Sequence, residues 1–390
     1  MNPVSQPATV ADVAAAAGVS RQTVSNALNR PEIVRPATLT RVRAAIDELG
    51  YRPHASARRL RTRQSSTLGV RLPPVHGISG AVLDRFLHAL VERADERGMR
   101  ILLFTATDLD DELAHMERLV EGSDVDGFVL TSTAHGDPRA AWLGERDVPF
   151  VTFGRPWGVP DMDDAPHPWV DVDGRAGLRE ATAGLVARGH RRIGFLGWPS
   201  PSGQGDERRL GWRDALGDAG LGAPPAGSAD AGLGAPPAGS ADAGLGAPPA
   251  GSADAGLGAP PAGGADAAAD GATGAGSGSA SGAVDLACED DVAAATAVVA
   301  AALQGGTVFD AVVCASDTLA LGARFALGAE VPVVGYDDTP VAAAVGISSV
   351  EQPLDAAAAA AVELLMGSGR SVLPASGGHR LLAPHVVWRG

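Results

Sequence analysis

Residues 9–29 read "TVADVAAAAGVSRQTVSNALN". Apolar residues at helical spacing run from Val10 to Ala17 and stop at Gly18, where a turn needing positive φ suits glycine. Ser20 is a good N-cap for a second helix ending near Asn29. On it Val24 and Leu28 share one face with Ala27 beside them, positioned to pack on Val10, Val13 and a third helix. That third helix begins near Pro36, carries Leu39, Val42, Ile46 and Leu49, and closes at Gly50. Arg21, Gln22, Ser25 and Asn26 occupy the other side of the second helix, clustered at its N-terminal end. Two helices joined by a tight turn, the second presenting such side chains, form a helix-turn-helix. Arg pairs with guanine edges, and Gln or Asn with adenine. The plainer role is a solvated polar face on a small bundle.

Charge decides between them. The 390-residue chain carries a net −15, which argues against a nucleic-acid partner until its distribution is read. Residues 1–64 hold ten Arg against Asp12, Glu32, Asp47 and Glu48, a net +6 that leaves −21 for the remainder. Screening cuts fields off within roughly 10 Å at moderate salt, so the local charge near phosphate is what counts. The basic head favours DNA.

From Thr67 the pattern changes. Strand-like runs ("TLGVRL", "MRILLF", "VDGFVLTS", "VPFVTFG", "RRIGFLG", "DAVVCAS", "VPVVGYD") alternate with helix-like ones over 81–97, 110–121, 175–188, 290–303 and 317–327. Alternation of this kind implies parallel sheets with helices on both faces. The number of units favours two such lobes. No apolar run approaches the ~20 residues that span a bilayer. The start, "MNPVSQPATV", lacks a signal peptide's basic and apolar regions. Cys288 and Cys314 offer no disulfide framework or paired metal-ligand spacing. The expectation is a cytoplasmic protein without metal or cofactor.

Residues 218–265 are four copies of a 12-residue unit, "DAGLGAPPAGSA", the last ending GGA, and a Gly/Ala/Ser tract follows to about Gly282. One leucine per copy and no aromatic is too little to bury a repeating core. The expectation for 218–283 is a disordered surface insertion rather than a binding array. "GLGAPP" lacks the third glycine and flanking elements of a dinucleotide fingerprint.

The opening stretch, with "VRPATLTRVRAAIDELGYRPHASARRLRT" after it, closely resembles the DNA-binding head of the LacI family of bacterial transcription factors. "GHRRIGFLG", "RRLGWRDAL", "CASDTLALGA" and "VPVVGYDDTP" continue the resemblance into a regulatory domain, covering the chain apart from the repeats. It implies a helix-turn-helix head (1–50), a hinge helix and linker (51–64), and two doubly wound α/β lobes (65–390) like periplasmic sugar-binding proteins. It also implies a homodimer on a near-palindromic operator. The implied DNA contacts are Ser20, Arg21, Gln22, Thr23, Ser25, Asn26, Asn29, Tyr51, His54, Ala57, Arg58 and Leu60. Leu60 would pry open a central base step from the minor groove, exchanging a few kcal/mol of unstacking for bent DNA; otherwise it is a linker leucine.

Ligand crevices in open α/β sheets lie beyond the strands' C-terminal ends. Asp317 follows "DAVVCAS" directly, although it also suits a capping role beside Ser316. By the resemblance, Arg208 binds effector hydroxyls and Gln352 maps to the pocket. Arg208 and Asp317 facing each other across the cleft would clamp vicinal hydroxyls of a sugar or nucleoside. Trp198 offers a ring face or is core; Trp212 reads as core, His190 as a turn residue, and Asp337 and Asp338 as loop braces. The repeats replace a strand and helix that line the family's pocket, so contacts from there do not carry over. The implied function is a DNA-binding regulator, usually a repressor, controlled by a small molecule. The alternatives are a solute-binding protein without a regulatory role, or an enzyme, for which no nucleophile motif, phosphate loop or metal constellation is present.

Overall fold

The computed structural model describes residues 8–51, 64–73, 80–222 and 283–389, apart from 160, 163, 164, 166, 368, 370, 371 and 373–377. The hinge candidates His54, Ala57, Arg58 and Leu60, and residues 223–282 of the repeat tract, lie outside the described residues.

In the head, α1 (Val10–Ala17) opens on a capping box. The Asp12 amide donates to Thr9 Oγ1 and the Thr9 amide donates to Asp12 Oδ2 at 2.8 Å, so two otherwise orphaned donors are satisfied. Gly18 ends the helix at φ 63°. The second helix, α2 (Arg21–Asn29), is capped by Ser20, whose hydroxyl accepts from the Thr23 amide at 3.1 Å. After a 3-10 turn (Pro31–Ile33), α3 (Pro36–Leu49) completes the bundle. Val13, Ala14, Ala17, Val24, Ala27, Val42, Ala45 and Tyr51 form its core. Burying one such valine is worth about 1.5–3 kcal/mol, a large share for so small a unit. Leu28, expected to pack inward beside Val24, is 37% exposed and outside that core. It sits in the last turn of α2.

The first lobe follows with β1 (Thr67–Arg71), α4 (Gly80–Glu96), β2 (Arg100–Phe104), α5 (Leu109–Glu121), β3 (Gly127–Leu130), α6 (Pro138–Gly144), β4 (Phe150–Phe153) and β5 (Trp169–Val172). The second begins with α7 (Gly174–Ala187), β6 (Ile193–Gly197), α8 (Gly203–Asp218), β7 (Asp285–Ala287), α9 (Val292–Gln304) and β8 (Ala311–Cys314). It continues with α10 (Asp317–Leu327), β9 (Val333–Tyr336), α11 (Pro340–Ala344) and β10 (Ser348–Glu351). Three elements close the chain: α12 (Leu354–Met366), β11 (His379–Leu382) and β12 (His385–Val387).

Each lobe has a six-stranded sheet, ordered β11-β5-β4-β3-β1-β2 and β12-β10-β9-β8-β6-β7. All pairings are parallel except β10 with β12. The chain therefore crosses between lobes three times: near Asp173, at Gln352–Pro353, and at residues 383–384. Both sheets direct C-terminal strand ends toward these crossings, and that is what builds a crevice.

One expectation differs from the structure, and one helix was not anticipated. The strand thought displaced by the repeats is present as β7, beyond the insertion, paired with β6 and followed by α9. Asp285 secures it, accepting from Arg209 Nε at 3.1 Å and from Arg213 Nη2 at 2.9 Å. The sequence pattern also passed over α12. It is alanine-rich and buried at Leu354, Ala357, Ala358, Ala361, Val362, Leu365 and Met366, leaving little polar face to register a period.

Candidate functional site

Two surfaces carry chemistry. On the head, Arg21 and Gln22 are exposed at the N-terminal end of α2, with Ser25 and Asn26 half-buried one turn on. Gln22 Nε2 donates to Asn26 Oδ1 at 3.0 Å, so these amides stand as a pre-ordered pair with donors and acceptors still outward. Ser20 and Thr23, also expected on DNA, are joined hydroxyl to hydroxyl at 2.9 Å while Ser20 caps the helix. Asn29 closes α2. Tyr51 departs from expectation: it is 6% exposed and its ring belongs to the head's core. The second residue after the third helix, its amide bonded back to the Ile46 carbonyl, joins the core that holds Val42 and Ala45, a role its place next to the linker did not reveal.

The second surface is the crevice. Arg208, on α8, is 5% exposed and donates through Nη1 to the Ala315 carbonyl. Its guanidinium lies 3.6 Å from the centre of the Tyr336 ring and 5.3 Å from that of Trp198. Among the described residues, three buried polar atoms of this cluster have no partner: Arg208 Nε, Trp198 Nε1 and the Tyr336 hydroxyl. Leaving such groups unpaired costs about 1–3 kcal/mol each, a cost that a polar ligand pairing with them would remove. Arg208 and Trp198 are therefore brought together as the sequence anticipated.

Asp317 is engaged within the second lobe. Its carboxylate accepts from the Thr339 amide and the Ser349 hydroxyl, both at 2.6 Å, and a Cβ on Gly335 would stand 2.1 Å from Oδ1. Burial pushes its carboxyl up despite these donors. Its two oxygens brace the segments around β9 and β10. The clamp across the cleft is corrected accordingly, because Arg208 and Asp317 both belong to the second lobe. Gln352, at a crossing, donates through Nε2 to Asp337 Oδ1 at 2.6 Å. Burial raises the Asp337 carboxyl to about 7, against the pull of Arg208. Asp338 is held by Arg389, Trp212 Nε1 donates to the Ile193 carbonyl from a fully buried ring, and the His190 amide closes the turn after α7.

The charge facing Arg208 from the first lobe is Asp171, on β5, 2% exposed. Burial raises its carboxyl while the Arg155 and Arg208 guanidinium groups pull it down. Arg155, just past β4, donates through Nε to Asp171 at 2.8 Å and reaches Glu207 of α8 at 3.3 Å, bridging the lobes. Beside it Trp157 lies so close to Gly203 that a Cβ there would meet Cδ2 at 2.3 Å. Sequence reasoning missed Arg155, Trp157, Asp171, Glu207 and Tyr336. The run "VPFVTFG" ends one residue before Arg155, so applying the strand-end rule to every strand would have found it.

Residues 9–54 match the family described as bacterial regulatory proteins, lacI family. Residues 83–231 match the periplasmic binding proteins and sugar binding domain of the LacI family. The chain belongs to the LacI family. Among relatives, the HTH-type transcriptional regulator CelR of Thermobifida fusca is 39% identical over 216 residues, 54% of this chain and 61% of CelR. The chain spans about 60% of the length of the curated relatives it matches. Among solved structures, a CelR–cellobiose complex is 27% identical, with TM-score 0.59 over 98% of this LacI-family chain and 99% of that one. The lac repressor dimer bound to operator and the anti-inducer ONPF is similar in fold, at TM-score 0.69 and 22% identity, covering 98% of each chain. Among the described residues of this LacI-family chain, no helix is long and apolar enough to cross a membrane.

Proposed function

We propose that this protein is a cytoplasmic, homodimeric regulator of transcription, whose affinity for a near-palindromic DNA operator is set by a sugar bound between its lobes. The observation that carries this reading is the joining, in one chain, of an outward Gln22–Asn26 pair on a capped helix to a crevice where Arg208, Trp198 and Tyr336 hold unpartnered polar atoms. A sugar fits the crevice chemistry, since its hydroxyls pair with charged groups while its ring stacks on an aromatic face. The first compound to test is cellobiose, the ligand in the CelR complex.

Repression is the expected mode. Sugar binding favours one arrangement of the lobes, and operator affinity changes by the sugar's differential affinity for the two arrangements. The Arg155–Glu207 bridge is a contact that such a change makes or breaks. Effector-contacting roles are assigned to Arg208, Trp198, Tyr336 and Asp171, with Gln352 acting through Asp337. The test is selection of bound DNA from a random pool, then a sugar screen for release. Enrichment of a two-fold symmetric sequence released by a sugar supports the reading; no enrichment over random DNA refutes it.

A further inference from the structure

Behind Trp157 the first lobe contains a cavity of about 350 Å³, under α6 and beyond the end of β4. Its walls are apolar: Phe150, Pro156, Trp157 and Val159, with Ala140 and Ala141 of α6. Three side chains lining it carry buried polar atoms without partners, namely Trp157 Nε1, His167 Nε2 and Thr133 Oγ1. Trp157 is 4% and His167 7% exposed, so solvent does not satisfy these atoms either. These atoms are distinct from those around Arg208.

We propose that this cavity is a second ligand site, separate from the crevice, which takes a neutral aromatic ring bearing a hydroxyl group. The walls suit a flat apolar ring. The Trp157 indole N–H donates to the ligand's hydroxyl oxygen, and His167 Nε2 or Thr133 Oγ1 accepts its proton. Burial lowers the affinity of His167 for a second proton, keeping the imidazole neutral and able to accept. A carboxylate ligand is disfavoured, because Asp137 and Glu145 stand in the lining and the Arg139 guanidinium is committed to Asp137 and Glu112. A free sugar is disfavoured for another reason: it has more hydroxyls than the three orphaned atoms satisfy. The ring would sit against Trp157, the residue that meets Gly203 of the second lobe, so its binding touches the contact between lobes.

The test is calorimetric titration of the full chain, without DNA, with 4-methylphenol, toluene and methyl glucoside. Because no operator is involved, its outcome is independent of the regulatory reading. One 4-methylphenol per chain is expected, with a Kd of about 1 mM or tighter for a ligand of this size. Toluene, which lacks the hydroxyl, should bind about tenfold more weakly, and methyl glucoside should not compete. Ala141→Phe, at an exposed position on α6, should fill the cavity and abolish binding. Trp157→Phe keeps a ring but loses the donor, and should weaken 4-methylphenol about tenfold while leaving toluene unchanged. The proposal is overturned if the wild-type chain shows no saturable 4-methylphenol binding. Equal binding by Ala141→Phe overturns it too, as does competition by methyl glucoside. The comparison of 4-methylphenol with toluene on the wild-type chain decides the matter even if a variant fails to fold.

Discussion

The Arg208 guanidinium lies 3.6 Å from the centre of the Tyr336 ring, binding α8 to the end of β9 in the wall of the crevice. A buried cation on an aromatic face, with its Nε still unpaired, is held ready for a polar ligand. Arg208→Ala should abolish release from the operator by whichever sugar releases the wild-type protein, while operator binding itself persists. Fluorescence anisotropy of labelled operator measures both. Release at an unchanged sugar concentration would remove Arg208 from the effector site.

Asp317→Ala should behave differently. It leaves the Thr339 amide and the Ser349 hydroxyl without their acceptor in a buried place. Each such loss costs about 1–3 kcal/mol, so the main effect should be on stability. Denaturant midpoints should fall clearly below those of Arg208→Ala. An undiminished midpoint with lost sugar response would instead make Asp317 a ligand contact.

Asp337 predicts a pH dependence. Its carboxyl is raised from 3.8 to about 7 in the folded protein, chiefly by burial. Between those values the folded chain keeps a proton that the unfolded chain releases. The stability this contributes is therefore full below about pH 3.8 and lost as pH rises through 7, by up to about 4 kcal/mol. Asp337→Asn keeps an acceptor for Gln352 and should flatten the decline in denaturant stability between pH 4 and 7. The flattening should be partial, because Asp171 and Asp317 are raised too. A slope identical to wild type would show that Asp337 does not titrate in this range.

On the head, Gln22→Ala removes one member of the outward amide pair. Selection from a random pool should show relaxed preference at one or two operator positions, each worth about 1–3 kcal/mol. Binding weakened equally on selected and random DNA would argue that Gln22 reads no base.

Deleting residues 223–281 and joining Gly222 to Gly282 should leave the melting temperature nearly unchanged. The elements on either side hold each other directly, through Arg209 and Arg213 of α8 and Asp285 of β7. Loop-closure entropy depends only weakly on length. A fall of many degrees in a calorimetric scan would mean that the repeats pack against the lobes.

The sequence by itself determined the head almost completely. Its helix bounds, the Gly18 turn, the Ser20 cap and the outward set around Gln22 are all local properties, fixed by capping and by helical period within about 40 residues. Seven of the twelve described strands, β1 to β4, β6, β8 and β9, and five of the helices were legible for the same reason. Tertiary structure alone decided which carboxylate faces Arg208. Asp317 and Asp171 both stand near strand ends, and only the three crossings of the chain assign one to a brace within the second lobe and the other to the opposite wall. The burial of Tyr51, the place of β7 beyond the repeats and the helix α12 were hidden likewise. Each depends on which distant surfaces cover a residue, and no local period records that.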